Sequence, residues 1–476
     1  MTRRNLILIL AATTALSALA LSAAHARDVP KVVTGFVASV LCTETFVSGL
    51  DPARVFAETS SAMPGAGLIA WALDYRVDRA RKDVTVTLFG QGRSHAVYRG
   101  EGLGCYLDHG GPVAAIVLPQ SEARPALLPD IAGLPVVVPQ TPQLAAALDR
   151  AFAESDRSTP RNTRAVVILK DGRIIAERYA EAIGIDTPLL GFSATKSVIS
   201  ALAGILVRKG ALKLHEPVPI AAWQQPDDAR RAITLDHLLR HTAGLKLGSS
   251  LQASLASALE PVNRMKFMEP DMAAYAVSMP MASAPGAAWN YHDGNTVILA
   301  HLIRQATGGS AAHMMAFARQ EVFEPLGMHN VTLEFDASGN AEGSSHLLAS
   351  ARDWARFGQL YLNDGVAGGK RILPEGWANY TATPTPNGWI GQGAGFWTNH
   401  GDSFGATYRT ERGWPRDAFY AKGTLGQYVI VVPSQRLVIV RLGRSPNWPP
   451  EADGVFELVR DVVAATDSKG RLAGAN

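Results

Sequence analysis

Short apolar runs rich in β-branched residues lie near both ends of one long segment of the sequence. Residues 164–169 form the first run, and the turn signal at 170–173 leads back into a second apolar stretch, as in a tight hairpin. Residues 428–432 and 437–442 form another such pair near the far end of the segment. Runs of this length and composition predict two pairs of β-strands, one pair at each end.

The sequence between these strand pairs has the pattern of helices. A helix over 144–153 precedes the first strand, and residues 297–307 end at a glycine pair that is typical of a helix C-terminus. Strands first and last with helices between predict a mixed α/β fold, in which an antiparallel sheet is flanked by helices and carries a helical insertion. We assign this domain to residues 141–465, followed by a short tail at 466–476.

The N-terminal part of the chain has a different pattern. Residues 84–88 alternate between apolar and polar, and a glycine-rich turn separates them from a second short strand. A proline-punctuated stretch, 119–142, has the composition of a linker. We therefore expect a small β-rich region over 27–140, and the sequence leaves open whether it serves as packing, as a lid or as a partner surface.

The first 26 residues have the pattern of a secretory signal peptide. Arg3 and Arg4 precede an apolar stretch over 6–20, and Ala24-His25-Ala26 supplies a cleavage site of small residues. The alternative is a retained membrane anchor, but the apolar stretch is short against the roughly 20 residues that a membrane span needs. No other segment is predicted to cross a bilayer, so we expect a periplasmic or secreted protein without stable membrane insertion.

The chain contains 2 cysteines, Cys42 and Cys105. In an oxidising compartment such a pair is more typical of a disulfide than of a reactive thiol. A metal site needs more ligands than two cysteines supply. We therefore predict a disulfide between Cys42 and Cys105 within the N-terminal region.

The charge of the chain bears on its partners. The formal net charge is +3 at pH 7, and 18% of the residues are charged. The lysines and arginines are scattered, without a basic run or interleaved aromatic residues, so nothing indicates binding to nucleic acid. We expect a small-molecule partner, and the sequence does not determine the oligomeric state.

Ser193 and Lys196 form the only Ser-x-x-Lys pattern in the chain, at the start of an amphipathic helix that ends near Gly210. Residues three apart on a helix share one face, so the amine should lie beside the hydroxyl. A serine needs a base to become a nucleophile, and burial can lower the pKa of a lysine enough to supply one. The alternative is an N-cap serine followed by a solvated lysine, but the Ser-Lys pair is a recognised variant of the catalytic triad.

Two further patterns can complete such a site. Tyr291 stands on a loop before a helix, and its phenol can share proton transfer with the lysine, although a core aromatic is the alternative. Residues 421–426, Ala-Lys-Gly-Thr-Leu-Gly, lead into a strand, and Gly423 lets a substrate approach the backbone closely. The backbone N–H groups of Thr424 and Ser193 are then candidates for an oxyanion hole, although an ordinary strand start has the same pattern.

In this order the three patterns resemble the serine β-lactamase and penicillin-binding-protein family, whose motifs are Ser-x-x-Lys, Tyr-x-Asn or Ser-Asp-Asn, and Lys-Thr-Gly. The resemblance covers about residues 140–442, and the stretches 233–245 and 351–358 look most like the branch with class C β-lactamases and esterases. Within that branch, residues 423–427 and 357–360 are most similar to 6-aminohexanoate-dimer hydrolases.

The resemblance implies a β-lactamase/transpeptidase-like fold. It implies that Ser193 is the residue acylated by the substrate and that Lys196 and Tyr291 are the proton-transfer pair. It also implies an acyl-enzyme mechanism that uses neither a metal nor an organic cofactor.

Two positions depart from the family pattern. Asp293 stands where the family loop usually has Asn or Ser, and a carboxylate near Lys196 would favour the charged ammonium. We therefore expect Asp293 to pair elsewhere or to tune the lysine differently. Ala421 occupies the place of the usual third-motif lysine, and Lys422 should point to the opposite face of the strand. The pocket would then lack the cation that grips a β-lactam carboxylate, which favours uncharged amides or esters.

Other catalytic classes fit less well. An α/β-hydrolase needs a second glycine two residues after its serine, and Thr195 stands at that position. His237 and His241 have an i, i+4 spacing but no third ligand is evident, so we assign them structural roles.

We expect a serine hydrolase that acts on amide or ester bonds. One alternative is a β-lactamase or a D-alanyl-D-alanine carboxypeptidase-type enzyme that interacts with penicillin. The other is a catalytically inactive peptidoglycan-binding module.

Overall fold

The computed structural model describes residues 28–119, 125–154, 160–251, 254–446 and 451–467. The predicted signal peptide, residues 1–26, lies outside the described residues, as does most of the tail predicted at 466–476.

Two helices and a small sheet form the N-terminal region. Helix α1 spans Asp28–Phe46, and helix α2 spans Pro52–Ala62. Four strands follow and pair antiparallel in chain order: β1 (Leu73–Asp78), β2 (Asp83–Leu88), β3 (Gln91–Gly100) and β4 (Gly104–Leu107). The expectation of a β-rich region is therefore correct for residues 73–107, whereas residues 28–62 are mostly helical.

Helix α1 corrects a second expectation. No segment after residue 26 was expected to be long and apolar enough to cross a membrane. By length and composition α1 meets that requirement, with a mean hydropathy of 1.2. However, 67% of its most apolar window is buried inside the fold, as in the core helix of a soluble domain. A helix buried on most sides shows no clear apolar stripe, and β-branched residues such as Val32 and Val33 favour strands.

The predicted disulfide is present and joins α1 to the small sheet. Cys42 on α1 is bonded to Cys105 on β4, 63 residues later in the chain. Both residues are buried. The bond therefore ties the first helix to the last strand of the N-terminal region.

The remaining strands of the described chain are, in order, β5 (Thr163–Lys170), β6 (Arg173–Tyr179), β7 (Leu189–Leu190), β8 (Thr332–Leu333), β9 (Leu347–Ala349), β10 (Val366–Ala367), β11 (Lys370–Arg371), β12 (Trp397–Thr398), β13 (Phe419–Gly423), β14 (Gln427–Val432) and β15 (Leu437–Gly443). The helices are α3 (Pro142–Phe152), α4 (Thr195–Arg208), α5 (Leu235–Leu239), α6 (Pro261–Met268), α7 (Met272–Ser278), α8 (Asp293–Ala306), α9 (Ala311–Ala318), α10 (Glu324–Leu326), α11 (Ala351–Leu362), α12 (Trp377–Ala382), α13 (Phe404–Thr410) and α14 (Val455–Thr466).

The central sheet has six antiparallel strands in the order β12-β13-β14-β15-β5-β6. The two predicted strand pairs join through β15 and β5, which lie side by side. The first hairpin turns at Asp171 and Gly172, whose φ angles of 51° and 80° are the positive values that a tight two-residue turn requires. The predicted antiparallel sheet with a helical insertion between β6 and β12 is confirmed.

Helices cover both faces of this sheet. Val167 and Val438 face the main core, which includes residues of α4, α8 and α11. Val166 and Ile439 face a second core, formed with α3 and α14. Side chains alternate between the faces of a strand, so strands buried on both faces are apolar at nearly every position.

The N-terminal region packs into the same core as the domain at 141–465. Leu41 on α1 belongs to the main core together with Ile199 on α4. Glu44 on α1, 0% exposed, lies 2.8 Å from Arg164 Nη1 on β5 and 2.5 Å from Arg444 Nη2 after β15. A buried carboxylate requires such partners. These ion pairs therefore hold α1 against the central sheet.

Candidate active site

Ser193 lies on a single 3₁₀ turn, Phe192–Ala194, directly before α4 rather than on the helix itself. Phe192 has a φ of 44°, in the left-handed region that residues with a Cβ rarely adopt. Its ring is buried, with the Arg444 guanidinium 4.8 Å from the ring centroid. Because Arg444 also pairs with Glu44, the strained turn that carries Ser193 is supported from α1.

Lys196, on the first turn of α4, directs its ammonium group at Ser193. Its Nζ donates to Ser193 Oγ at 3.0 Å, to Asp293 Oδ1 at 2.6 Å and to the backbone oxygen of Ser344 at 2.8 Å. These bonds use all three N–H groups of an ammonium. The residue is 4% exposed. The structure thus brings the two groups of the Ser-x-x-Lys pattern together, shielded from bulk water.

The carboxylate of Asp293 acts on the pKa of Lys196. Burial alone would lower the pKa of Lys196, but the Asp293 carboxylate and the Tyr291 phenol outweigh burial and raise the pKa above its ordinary value. The carboxylate 2.6 Å away therefore favours the ammonium form of Lys196 and opposes the neutral lysine base considered from the sequence.

Asp293 stands between two ammonium groups at the N-terminus of α8. Its Oδ1 contacts Lys196 Nζ, and its Oδ2 lies 3.1 Å from Lys266 Nζ on α6. Burial would raise the pKa of Asp293, but the two lysines hold it well below its usual range. The helix dipole also favours a negative charge at this end of α8. Asp293 therefore pairs with Lys196 itself and, in addition, with a lysine that no sequence motif marks.

Tyr291 is buried among aromatic rings beside Lys196. Its ring stacks on His241 with the centroids 4.6 Å apart, and the Trp397 ring lies 5.3 Å away. Lys196 Nζ is 5.1 Å from the Tyr291 ring centroid. Burial and the charge of Lys196 hold the pKa of His241 well below its usual range, so its imidazole is neutral. The loop before α8 thus brings Tyr291 close to Lys196, and Asp293, the first residue of α8, contacts the same lysine.

The two histidines of the i, i+4 pair have separate contacts. His237 Nδ1 accepts a hydrogen bond from the Thr234 amide at 3.1 Å, in a capping box at the start of α5. His241 instead faces Tyr291. These contacts agree with the structural roles assigned to both from the sequence.

A second cluster of buried titratable groups connects the site to α1. Among the described residues, Glu334, Glu342 and His346 are the group whose metal-type ligand atoms lie within 4.8 Å of one another. These atoms are already engaged, since His346 Nδ1 lies 2.5 Å from Glu342 Oε1 and Glu334 accepts from Thr43 Oγ1 at 2.9 Å. The cluster meets the active site where Lys266 Nζ lies 3.8 Å from Glu342 Oε1. We interpret it as an ion-pair network, and no local sequence pattern marks it.

The third pattern brings β13 against the turn that carries Ser193. A Cβ atom on Gly423 would lie 2.0 Å from the Gly191 carbonyl oxygen, so only glycine permits this approach. Thr424 follows and lines the same pocket as Ser193. The Gln427 side chain holds this loop by donating to the backbone oxygens of Leu425 at 2.9 Å and Gly443 at 2.8 Å. Ser193 and Thr424 therefore line the same pocket.

Lys422 lies on the other face of β13. Its Nζ is 5.4 Å from the Tyr428 ring, which packs in the core with α3 and α14. Ala421 is buried in the main core, and Lys422 does not line the pocket. Strand alternation therefore places Lys422 as the sequence predicted.

The family model described as "Beta-lactamase" matches residues 148–464. The chain belongs to the β-lactamase family. This confirms the resemblance seen in the sequence motifs, and the antiparallel sheet between helices is the fold that the resemblance implies.

Two relatives of this chain carry functional names. The chain is 27% identical to esterase EstB of Burkholderia gladioli over 206 residues, which cover 39% of this chain and 51% of the relative. It is 25% identical to 6-aminohexanoate-dimer hydrolase of Paenarthrobacter ureafaciens over 229 residues, 45% of this chain and 56% of the relative. The matched segments span about half the length of each of these relatives.

The fold is also similar to solved structures. A penicillin-binding-protein homologue from Caulobacter crescentus aligns with a TM-score of 0.53 and 18% identity, covering 71% of this chain and 100% of that one. At this identity the likeness establishes the fold alone.

The segment that matches the β-lactamase family does not include the N-terminal region, yet that region lines the pocket. The pocket beside Ser193 has a cavity volume of about 120 Å³ and opens to solvent. The N-terminal region contributes an apolar wall made of Val32, Val33, Phe36, Val37, Met63, Ala66, Ile69 and Leu73. The family segment contributes the apolar residues Phe192, Leu255, Ala258 and Phe267, and a polar side that includes Ser249, Ser250, Ser254, Ser257 and Asn263. The sequence left the role of the N-terminal region open, because only the folded chain brings α1 to Ser193.

Proposed function

We propose that the chain is an exported serine hydrolase that cleaves amide or ester bonds through an acyl-enzyme on Ser193. The observation that carries this proposal is the 3.0 Å contact between Lys196 Nζ and Ser193 Oγ beside a pocket that Ser193 lines. Family membership supports it, as do the names of the two relatives, an esterase and an amide-cleaving dimer hydrolase.

The charges around Ser193 divide the proton-transfer roles. Lys196 keeps its proton, so it acts as a fixed cation that orients Ser193 Oγ and stabilises negative charge beside it. Tyr291 is then the proton acceptor, since an adjacent ammonium stabilises a phenolate. Both residues of the predicted proton-transfer pair therefore take part, but Tyr291 rather than Lys196 is the base.

Acylation begins with Tyr291 as the phenolate beside the Lys196 ammonium. Ser193 Oγ bonds to the substrate carbonyl carbon as its proton passes to this phenolate oxygen, and the resulting oxyanion accepts hydrogen bonds from the Ser193 and Thr424 N–H groups. Tyr291 then passes the proton to the departing amine or alcohol as its bond to carbon breaks. Water cleaves the acyl-enzyme by the same route, giving its proton to Tyr291, which returns it to Ser193 Oγ.

Removal of the Ser193 hydroxyl tests the nucleophile. Ser193→Ala should abolish ester hydrolysis and labelling by a fluorophosphonate, with little change in the thermal unfolding midpoint because Ser193 is only half-buried. The control is Ser60→Ala, which removes another hydroxyl from the pocket lining and should retain both activities. Hydrolysis by folded Ser193→Ala would reassign the nucleophile. Absence of any adduct in folded wild-type protein would favour the inactive peptidoglycan-binding module.

The substrate class is tested by parallel assays. A short-chain p-nitrophenyl ester, the linear 6-aminohexanoate dimer and a chromogenic cephalosporin separate esterase, amidase and β-lactamase activity. Because Lys422 lies outside the pocket, we expect the cephalosporin to be the poorest substrate. Fast cephalosporin turnover would instead favour the β-lactamase or carboxypeptidase alternative.

Export is supported by the Cys42–Cys105 disulfide, since such bonds persist in oxidising compartments. The signal-peptide pattern ends at Ala26, so the mature protein recovered from the periplasm or medium should begin at Arg27. N-terminal sequencing checks this, and protein that keeps residues 1–26 in the membrane fraction would contradict it.

A further inference from the structure

The pocket beside Ser193 has one wall that comes from outside the β-lactamase-family segment. Val33 and Phe36 on α1, Met63 at the end of α2, and Ala66 and Ile69 on the following turns line it. The wall is part of the fixed structure, because the buried Glu44 ion pairs and the disulfide hold α1 in place. An apolar surface built into a nucleophile's pocket is available to bind an apolar part of the substrate.

The charged groups that line the pocket are paired with one another. Lys266 Nζ lies 3.1 Å from Asp293 Oδ2 and 3.8 Å from Glu342 Oε1, and His346 Nδ1 lies 2.5 Å from Glu342 Oε1. Among the described lining residues, Lys266 is the only lysine and there is no arginine. A substrate group with a charge at its far end would therefore lose hydration without meeting an unpaired opposite charge among these residues, which is costly.

We propose that this pocket binds an apolar, uncharged acyl chain, and that the N-terminal region sets this preference. The proposal rests on the proposed function, in which Ser193 carries the acyl group. The chain attached to the scissile carbonyl then stays against the wall from α1 and α2 throughout acylation and deacylation. The substrate class is an ester or amide of an apolar aliphatic acid, rather than a compound charged at both ends such as a 6-aminohexanoate dimer.

The length dependence of turnover tests the proposal. With p-nitrophenyl acetate, butyrate, hexanoate and octanoate, kcat/KM should rise by roughly two- to fourfold for each methylene that the wall buries. The same eight-carbon ester with a terminal carboxylate should be a much poorer substrate than octanoate. A flat or falling profile beyond butyrate, or equal turnover of the carboxylate-terminated ester, would overturn the proposal.

A pair of variants on one turn locates the binding surface. Ala66→Phe fills part of the pocket and should lower the octanoate-to-acetate ratio of kcat/KM by about tenfold or more, the equivalent of at least two to three buried methylenes. The control is Leu68→Phe on the same turn, where the side chain is 77% exposed and does not line the pocket. It should leave both esters unchanged. Equal losses for acetate and octanoate in Ala66→Phe would reject the wall as an acyl site.

A second variant tests the same proposal in case Ala66→Phe fails to fold. Ile69→Ala removes lining surface without filling the pocket, and should reduce the octanoate-to-acetate ratio of kcat/KM several-fold. An unchanged ratio would overturn the proposal. Wild-type protein that neither hydrolyses acetate nor takes up a fluorophosphonate would reject the proposed function itself, whereas acetate hydrolysis without a length preference would reject only the acyl pocket.

Discussion

Removing the carboxylate that keeps Lys196 charged tests its role as a fixed cation. In Asp293→Asn the amide oxygen can still accept a hydrogen bond from Lys196 Nζ, but it carries no charge. The pKa of Lys196, which the wild-type carboxylate raises, should therefore fall. Because the proposed mechanism needs the ammonium, the alkaline limb of the kcat/KM profile should move to lower pH.

The size of this shift follows from the geometry. Unit charges 2.6 Å apart attract by about 6 kcal/mol at an effective dielectric constant of about 20. This is an upper limit, since Lys266 shares the carboxylate at 3.1 Å and the asparagine keeps a hydrogen bond. An opposite charge at contact distance usually moves a pKa by roughly one to three units, or about 1.4 to 4 kcal/mol. We expect the alkaline limb to move by that amount, from above the ordinary lysine value of 10.5 into a range that can be assayed.

The assay is kcat/KM for a neutral ester from acidic to alkaline pH, with the uncatalysed hydrolysis subtracted and folding checked by circular dichroism at each end. The control is Glu342→Gln, which removes a carboxylate 3.8 Å beyond Lys266 and should move the limb by less than about one unit. If Asp293→Asn instead moves the acidic limb downward and raises the rate at neutral pH, neutral Lys196 is the base and our division of roles is wrong.

Three further predictions concern stability and specificity. Glu44→Gln leaves two buried guanidinium groups without their shared carboxylate and should lower the free energy of unfolding by roughly 3–5 kcal/mol in urea titrations; a loss below about 1 kcal/mol would contradict the role of these ion pairs. Although burial opposes it, the arginines lower the pKa of Glu44 in the folded state, so this stabilisation should be full above the unfolded carboxyl pKa of about 4.3 and be lost as the pH falls below it. Lys422→Met should leave kcat/KM for a neutral ester unchanged, because its amine lies over Tyr428 on the far face of β13, and a large loss would place Lys422 in the site. Replacing Cys42 and Cys105 by serine removes a cross-link between residues 63 apart and should cost about 4 kcal/mol by chain entropy, so an unchanged thermal midpoint would show that the bond contributes nothing.

Local spacing was sufficient to predict several features of the fold and the site. Ser193 and Lys196 lie three residues apart on consecutive turns where α4 begins, so their contact follows from local spacing, and the position of Lys422 follows from alternation along a strand. The hairpin at Asp171 and Gly172 follows from turn chemistry. These features depend on residues a few positions apart, so the sequence contains them directly.

Contacts between residues far apart in the sequence determine two other features, the pKa of Lys196 and the apolar wall of the pocket. The pKa of Lys196 is raised because Asp293, from the start of α8, reaches it, and Asp293 is shared with Lys266 from α6. The apolar wall of the pocket exists because α1, far from Ser193 in the chain, is held over it by buried ion pairs. A pKa or a pocket wall depends on which groups meet after folding, and that depends on the packing of the whole chain rather than on the spacing of residues within any one motif.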